Sequence, residues 1–256
     1  MDFTKIGQVE QTLKRIREEG PFIIPQIDPD AFSLNQVEKI LDTLEKIGVR
    51  IVTIGGTIID PRYLNQIIEV AVRDHDFKVI TYPNEGSSLI EEVNNSVAIY
   101  WMRVLNGNNP YFQDDFFVMN SLSIKKRKIE AIPTAYIFDE RGSVGSSVWL
   151  ARANPVPKDK PQIGLALAVG AEYSGTRVLI LGGGSGAKSP PNVLLVKLIA
   201  DNTDLFLIPT SGIRTLRTVE ELFGNGADAV HIGKLLEDPD GLEQMRKLIE
   251  NIQKKE

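Results

Sequence analysis

Short apolar runs and amphipathic segments alternate along this 256-residue chain, and the alternation repeats eight times. The apolar runs are rich in Val and Ile and show no polar alternation, which is typical of parallel strands buried on both faces. The segments between them mostly place apolar residues about one helical turn apart, as amphipathic helices do. The predicted strands lie at 21–28, 49–56, 77–83, 96–105, 132–140, 176–184, 204–210 and 227–233.

The predicted helices follow these strands one for one. Eight successive units predict a single (β/α)8 TIM-type barrel over residues 1–256. An additional amphipathic segment, 3–19, precedes the first strand and is expected to cover the N-terminal mouth of the barrel. The alternative is an open doubly wound sheet, which ordinarily has fewer strands and a switch point. The eight helices are expected at 33–48, 60–74, near 87–95, 112–129, 160–175, 191–201, 215–226 and 240–254.

Chain length alone leaves one domain or two, because about 250 residues can fill one α/β barrel or two average domains. The sequence contains no long Pro/Ser-rich linker that would divide it. Its sizeable irregular stretch, 141–159, follows the fifth predicted strand. Loops longer than roughly 12–15 residues in a compact domain are more often functional lids than boundaries. We therefore expect a barrel loop at this position.

Composition excludes several kinds of chemistry. The chain has no Cys, so disulfides, thiolate zinc sites and cysteine nucleophiles are excluded. Its two histidines, His75 and His231, are far apart in sequence, which excludes a multi-His metal centre and argues against a Ser-His-Asp triad. The net charge of −5 argues against general nucleic-acid binding. The charged N-terminus lacks an apolar run, so we expect no signal peptide and a cytoplasmic protein.

Glycine and serine gather where three neighbouring predicted strands end. Because the C-terminal ends of barrel strands meet at one face, glycines there let backbone N–H groups converge on an anion. One such cluster alone would be ordinary turn chemistry. Three on the same face predict a phosphate site, with tight turns as the competing explanation of each glycine. The clusters are Gly182, Gly183, Gly184, Ser185 and Gly186 after strand six, Ser211-Gly212 after strand seven, and Gly233-Lys234 after strand eight.

Two hard oxygen ligands follow the first two predicted strands at the same face. Asp28 ends the first strand, and Thr57 ends the second. A carboxylate and a hydroxyl suit Mg²⁺, which completes its shell with water and substrate phosphate oxygens. A helix N-cap role for Asp28 and a turn role for Thr57 are the competing explanations. The pair is therefore a candidate magnesium site.

Longer motifs give the chain a resemblance to one known family. The chain resembles the geranylgeranylglyceryl phosphate synthases of archaeal lipid synthesis and their bacterial heptaprenylglyceryl relatives. PTAY, ANPVP and GSGA in that order are the specific part, since a general phosphate barrel does not need them. The matching motifs are IDPD at 27–30, IGGT at 54–57, VLNGNNPYF at 104–112, IPTAYIFDERGSVG at 132–145, ARANPVPKDKP at 151–161, GGGSGA at 182–187, SGIRT at 211–215 and GADAVHIGK at 226–234.

The resemblance implies a barrel enzyme that transfers a C20 prenyl group from geranylgeranyl diphosphate to the 3-hydroxyl of sn-glycerol 1-phosphate. It implies Mg²⁺ on the diphosphate, with Asp28 and Thr57 as protein ligands. Metal neutralisation of an allylic diphosphate requires neither a cysteine nor a histidine base. Relatives associate, so a symmetric homo-oligomer is expected. The residues implied to surround glycerol phosphate are Ile180, Leu181, Gly182 through Gly186, Ser211, Gly212, Gly233 and Lys234.

The chain departs from the family at the end of the sixth strand. A family glutamate that can orient or deprotonate glycerol corresponds here to Gly182. We expect Asp139 or Glu140, at the end of the adjacent fifth strand, to replace it, with a solvated loop pair as the alternative. The loss leaves a second function open, a non-catalytic or partner-dependent paralogue. A third function, a phosphate-binding barrel isomerase or aldolase, would need an acid/base pair or a Schiff-base lysine at a strand end. Lys234 is the one lysine that the sequence places at the end of a predicted strand, so this alternative is the weaker one.

A prenyl tail requires an apolar groove and brings the enzyme close to lipid. The basic run 125–128 is a candidate contact with an anionic membrane surface, with a solvated helix end as the alternative. Prenyl chain length depends on groove depth and is left open. Five aromatic residues are candidates to line the groove, with core or surface packing as the alternative for each: Tyr100, Trp101, Phe112, Tyr136 and Trp149.

Overall fold

The computed structural model describes residues 6–57, 59–82 and 95–254. Within these ranges eight parallel strands form a closed barrel, each paired with the next and the eighth with the first. This closure confirms the predicted (β/α)8 TIM-type barrel and excludes the open sheet. The strands are β1 Phe22–Ile27, β2 Ile51–Ile54, β3 Lys78–Thr81, β4 Val97–Val104, β5 Glu130–Phe138, β6 Val178–Gly182, β7 Phe206–Thr210 and β8 Ala229–Ile232.

Helices lie around the barrel, and described helices connect all consecutive strands except β3 and β4. The helix predicted near 87–95 lies outside the described residues except for its last position. Among the helices that are described, none is both long enough and apolar enough to cross a membrane. The helices are α1 Gln8–Glu19, α2 Leu34–Lys46, α3 Pro61–Arg73, α4 Asp115–Arg127, α5 Ser146–Leu150, α6 Pro161–Tyr173, α7 Val193–Asn202, α8 Leu216–Gly224 and α9 Gly241–Gln253.

Neighbouring residues of each strand enter two different apolar layers. On β6, Ile180 belongs to the layer inside the barrel, together with Ile24 and Ile132. Leu181 belongs to the layer between the barrel and the helices, where it is clustered with Val196 of α7. Because both faces of the strand are apolar, the sequence shows continuous Val/Ile runs and no alternation.

Helix α1 covers the N-terminal mouth of the barrel, as the sequence predicts. Val9 and Leu13 are buried in the inner apolar layer. The backbone N–H groups of Val9 and Glu10 donate to the carboxylate of Glu130 at the start of β5, at 2.9 and 2.8 Å. Glu10 also forms a two-pronged ion pair with Arg177, just before β6, at 2.7 Å for each contact. These contacts fix α1 beneath the barrel.

The stretch 141–159, predicted to be an irregular loop, contains the short helix α5. Backbone hydrogen bonds return the end of this stretch to β5, since Val156 N–H donates to Phe138 O at 2.9 Å. Ser147 and Leu150 of α5 face the cavity described below. The stretch is therefore part of the barrel and forms one wall of its open end.

Candidate active site

A cavity of about 280 Å³ lies at the C-terminal ends of the barrel strands. Asp28 and Thr57, the predicted metal ligands, line it together with six of the residues predicted to bind phosphate. The two predicted sites are therefore parts of one cavity. The six are Ser185, Gly186, Ser211, Gly212, Gly233 and Lys234, and the apolar and aromatic lining includes Met102, Phe112, Tyr136, Phe138, Leu150 and Ile232.

Asp28 lies at the edge of this cavity with its carboxylate partly buried. Its Oδ1 accepts a hydrogen bond from the backbone N–H of Asp30 at 3.2 Å, so the N-cap role also holds. Burial raises the pKa of Asp28, opposed by the Asp30 hydrogen bond. Gly56 allows this placement, since a Cβ atom there would come within 2.4 Å of Asp28 Oδ1. A cation at this carboxylate would offset the cost of burying its charge.

Thr57 completes the oxygen pair from the loop after β2. Its Oγ1 accepts a hydrogen bond from the hydroxyl of Ser146 on α5 at 3.2 Å. Within the described ranges, no group of three or more His, Cys, Asp or Glu side chains is arranged to hold a metal ion. A carboxylate and a hydroxyl are donors that Mg²⁺ accepts when substrate and water oxygens supply the remaining ligands. Metal binding by this pair stays a prediction.

The loop after β7 adopts an uncommon backbone conformation at the cavity wall. Ser211 and Gly212 both have a φ of +68°. A residue other than glycine in this region costs about 1–3 kcal/mol and persists only where its surroundings hold it. A Cβ on Gly212 would come within 2.2 Å of Ser189 O, so glycine is required there by both conformation and space. The turn explanation and a phosphate-binding role are compatible at this loop.

The remaining residues predicted to surround phosphate, 180–184, lie at the end of β6 and just after it, and they do not line the cavity. Ile180 and Leu181 are buried in the two apolar layers described above. A Cβ on Gly183 would come within 2.1 Å of Arg141 Cγ, so the stem of that arginine occupies the space beside it. Gly184 has a φ of +81° and packs against α5 at Val148. These residues shape the loop that carries Ser185 and Gly186.

Asp139 and Glu140, the predicted replacements for the family glutamate, are not among the cavity-lining residues. The Asp139 carboxylate forms an ion pair with Arg141, in which Nε donates to Oδ2 at 2.7 Å and Nη2 lies 2.6 Å from Oδ1. The Glu140 carboxylate accepts a hydrogen bond from the backbone N–H of Lys158 at 3.2 Å. Their catalytic role stays a prediction, and sequence reasoning did not single out Arg141.

A buried polar cluster at the base of the cavity was also missed from the sequence, which assigned no role to His231. Its Nδ1 lies 3.2 Å from the Tyr82 hydroxyl, and its Nε2 lies 3.0 Å from the Tyr100 hydroxyl and 3.3 Å from Thr53 Oγ1. Burial lowers the pKa of His231 to about 3, so the imidazole is neutral near pH 7. The sequence feature that could have revealed this position is the two-residue spacing of His231 from Ala229, because alternate residues of a strand lie on the same face and Ala229 lies on the inner face of β8.

The aromatic candidates for a prenyl groove divide between the cavity and other parts of the structure. Phe112 and Tyr136 line the cavity. Tyr100 is fully buried beside His231. The other two do not line the cavity, since Trp101 stacks on Phe117 of α4 at a ring distance of 4.6 Å and Trp149 is largely exposed.

Comparisons with known proteins place the whole chain in one family. The sequence profile of the PcrB family matches residues 14–254. The geranylgeranylglyceryl phosphate synthase of Pyrococcus furiosus is 30% identical over 251 residues, which are 98% of each chain. That of Pyrococcus horikoshii is 31% identical, over 97% of this chain and 96% of its own.

Solved structures agree with this assignment. The crystal structure of (S)-3-O-geranylgeranylglyceryl phosphate synthase from Thermoplasma acidophilum, in complex with its substrate sn-glycerol-1-phosphate, matches with a TM-score of 0.87. It is 26% identical and covers 98% of this chain and 100% of its own. The chain therefore belongs to the PcrB family, alongside the geranylgeranylglyceryl phosphate synthases.

Proposed function

We propose that the protein transfers a geranylgeranyl group from geranylgeranyl diphosphate to the 3-hydroxyl of sn-glycerol 1-phosphate and releases diphosphate. The observation that carries this proposal is one cavity that combines a carboxylate–hydroxyl pair, Asp28 and Thr57, with the left-handed loop at Ser211 and Gly212. Full-length relatives are named for this product, and the Thermoplasma acidophilum enzyme was solved with sn-glycerol-1-phosphate.

The phosphate of glycerol phosphate would be bound by backbone N–H groups after three neighbouring strands. Ser185-Gly186, Ser211-Gly212 and Gly233 supply these groups, and glycine allows the anion to approach the backbone closely. Lys234 lines the cavity, so it can add a positive charge at the edge of the site when it turns from its ion pair with Glu237 to the phosphate. In this proposal, the predicted residues 180–184 act by shaping the loop that carries Ser185 and Gly186.

The diphosphate would lie beside Asp28 and Thr57, in the part of the cavity that follows β1 and β2. Bound Mg²⁺ would neutralise charge on the diphosphate and so assist its departure. Asp28 is suited to hold the ion because its carboxylate is already oriented by the Asp30 N–H. The apolar prenyl chain would pack against side chains such as Met102 and Phe112, where it leaves water.

In the reaction, the glycerol 3-oxygen forms a bond with C1 of the prenyl group, the bond from C1 to diphosphate breaks, and the hydroxyl proton leaves. The prediction that Asp139 or Glu140 replaces the family glutamate, which can orient or deprotonate glycerol, is tested by product formation in Asp139→Ala and Glu140→Ala. Near-normal turnover in both variants would remove it. Tyr136 lines the same cavity, and burial raises the pKa of its phenol, so it stays protonated and can orient an oxygen.

The proposed activity is tested by incubating the purified protein with sn-glycerol 1-phosphate and geranylgeranyl diphosphate, with Mg²⁺ or with a chelator. We expect the ether product, measured by mass spectrometry, with Mg²⁺ only, and much less product from sn-glycerol 3-phosphate. Shorter and longer prenyl diphosphates in parallel define the chain-length preference. Binding of sn-glycerol 1-phosphate without ether product from any diphosphate would favour the non-catalytic paralogue.

We also propose peripheral contact with an anionic membrane surface through the outer side of α4. Three apolar side chains there, Val118, Met119 and Leu122, are 78%, 67% and 79% exposed. The basic run 125–128 is exposed at the end of the same helix. Apolar side chains beside basic ones are the combination that binds anionic lipid surfaces. A cytoplasmic location and a symmetric homo-oligomer stay proposals from the sequence.

A further inference from the structure

A buried ion pair lies directly behind the loop proposed to bind phosphate. The Asp139 and Arg141 side chains are 2% and 1% exposed. Arg141 Nε donates to Asp139 Oδ2 at 2.7 Å, and Nη2 lies 2.6 Å from Oδ1. Asp139 Oδ2 also accepts from the backbone N–H of Asn192 at 3.3 Å. One hydrogen bond and one close ion contact therefore hold the guanidinium beside the carboxylate.

The other terminal nitrogen of this guanidinium faces backbone carbonyl groups of two loops. Arg141 Nη1 lies 3.2 Å from Ser211 O, 3.4 Å from Thr210 O and 3.3 Å from Ser189 O. Thr210 ends β7 and Ser211 follows it, both at the cavity, and Ser189 belongs to the loop after β6. The Arg141 side chain therefore donates hydrogen bonds to carbonyl groups of both loops, without itself lining the cavity.

The carbonyl group that Arg141 holds at Ser211 belongs to the strained residue of the phosphate loop. Ser211 has a φ of +68°, and a residue other than glycine keeps this conformation only where its surroundings impose it. Arg141 is a direct contact that can impose it. The chain also makes room for this side chain, because the space beside Gly183 is filled by Arg141 Cγ.

We infer that Asp139 and Arg141 are positioning residues for phosphate: they hold Ser211 in its left-handed conformation, so that the amide groups of the β7 loop are arranged for the anion before it binds. This inference rests on the proposed function of the same cavity. It gives Asp139 a role through Arg141 and the loop, without contact with the reacting atoms, and it therefore replaces the predicted direct role of Asp139 on glycerol and leaves that role to Glu140 alone. The ligand class is a phosphate monoester, bound through its phosphate group.

The test compares wild-type protein with Asp139→Asn/Arg141→Gln, which removes both charges and leaves no unpaired buried charge. Dissociation constants for sn-glycerol 1-phosphate and for inorganic phosphate are measured by calorimetry, and KM and kcat by product formation. We expect the KM for sn-glycerol 1-phosphate and both dissociation constants to rise about ten-fold, or ~1.4 kcal/mol. We expect kcat and the KM for geranylgeranyl diphosphate to change little.

Ser211→Gly makes the test specific for the loop conformation. Glycine adopts positive φ without the steric cost that serine meets. The ten-fold effect of removing the ion pair should therefore shrink markedly when it is measured in the background of Ser211→Gly. A general loss of packing would give the same effect in both backgrounds. Arg141→Lys is the substitute test if the double variant does not fold. It keeps a positive charge beside Asp139 but lacks the planar guanidinium, so it should also weaken phosphate binding.

A matched control is the ion pair of Glu10 and Arg177 at the opposite end of the barrel. Glu10→Gln/Arg177→Gln should lower the melting temperature and leave the dissociation constant for phosphate unchanged. Equal effects in the two Ser211 backgrounds, a fall in kcat with unchanged KM, or no phosphate binding by the wild-type protein would each overturn the inference. Phosphate binding that depends on Arg141 without any prenyl transfer would support the inference and overturn the proposed function.

Discussion

The hydroxyl of Tyr136 occupies the space into which a side chain at position 182 would extend. A Cβ atom on Gly182 would come within 2.2 Å of the Tyr136 hydroxyl oxygen and 2.7 Å of Thr210 Cγ2. Tyr136 and Gly182 lie on the adjacent strands β5 and β6, and the tyrosine is largely buried. A side chain at position 182 and Tyr136 in this orientation therefore exclude each other.

This relationship predicts that Gly182→Ala destabilises the protein. Overpacking of a buried site costs about 1–3 kcal/mol. Tyr136→Phe removes the hydroxyl, so it should recover part of that loss in the double variant. Urea unfolding of the wild type, the two single variants and the double variant measures both effects. Gly170→Ala on α6 is the control, since no atom lies within 4 Å of the added Cβ, and it should stabilise by up to about 1 kcal/mol. A Gly182→Ala protein as stable as wild type would contradict the prediction.

The barrel could be predicted because each unit is specified locally. The two-sided burial of β6, with Ile180 inside and Leu181 outside, produces the continuous apolar run from which a parallel strand is predicted. The cavity was predictable to the extent that it depends on strand ends. Asp28 and Ser211 directly follow strands, and Thr57 lies in the loop just after β2, so the closed barrel brings all three to one face.

Contacts between loops could not be predicted in this way. Arg141 and Ser211 are 70 positions apart, and their contact depends on how two loops pack over the strand ends. The same holds for Asp139, whose position at a strand end suggested a catalytic carboxylate, whereas its ion pair with Arg141 is visible only in three dimensions. His231 was missed for a different reason, because a single histidine in an apolar strand gives no indication of its hydrogen-bond partners.

Burial of His231 predicts a dependence of stability on pH. Burial lowers its pKa to about 3 in the folded state, below the unfolded value of 6.5. Between these values the unfolded chain binds a proton that the folded protein does not. The contribution of this residue is therefore complete above pH 6.5 and is lost as pH falls, by about 1.4 kcal/mol per unit. The test is the free energy of unfolding in urea, measured from about pH 5 to 7.5 for the wild type and His231→Gln. Below pH 6.5 the slope of this free energy against pH should be smaller in the variant, by the equivalent of about one bound proton. Equal slopes in the two proteins would contradict the prediction.

The exposed face of α4 predicts binding to anionic vesicles. Met119→Glu/Leu122→Glu should reduce co-flotation with phosphatidylserine vesicles several-fold, because it removes apolar contact and adds repulsion. Binding of the wild-type protein should also fall as salt rises, because salt screens the basic run. Tyr173→Glu, at a position that is 86% exposed on α6, is the matched control and should bind as wild type does. Equal flotation of wild type with neutral and anionic vesicles would count against this surface.

The partly buried carboxylate of Asp28 predicts that it carries the magnesium dependence of diphosphate binding. Asp28→Asn removes the charge that would hold the ion. A hydrogen bond or contact to a charged group is worth about 1.5–3 kcal/mol. The affinity for inorganic diphosphate in the presence of Mg²⁺ should therefore fall at least ten-fold, or ~1.4 kcal/mol. Calorimetry with and without Mg²⁺ measures this effect apart from turnover. Asp30→Asn makes the same charge change at an exposed position two residues away and should have a much smaller effect. If both variants weakened diphosphate binding equally, the general negative charge of this loop, and not ligation by Asp28, would explain the dependence.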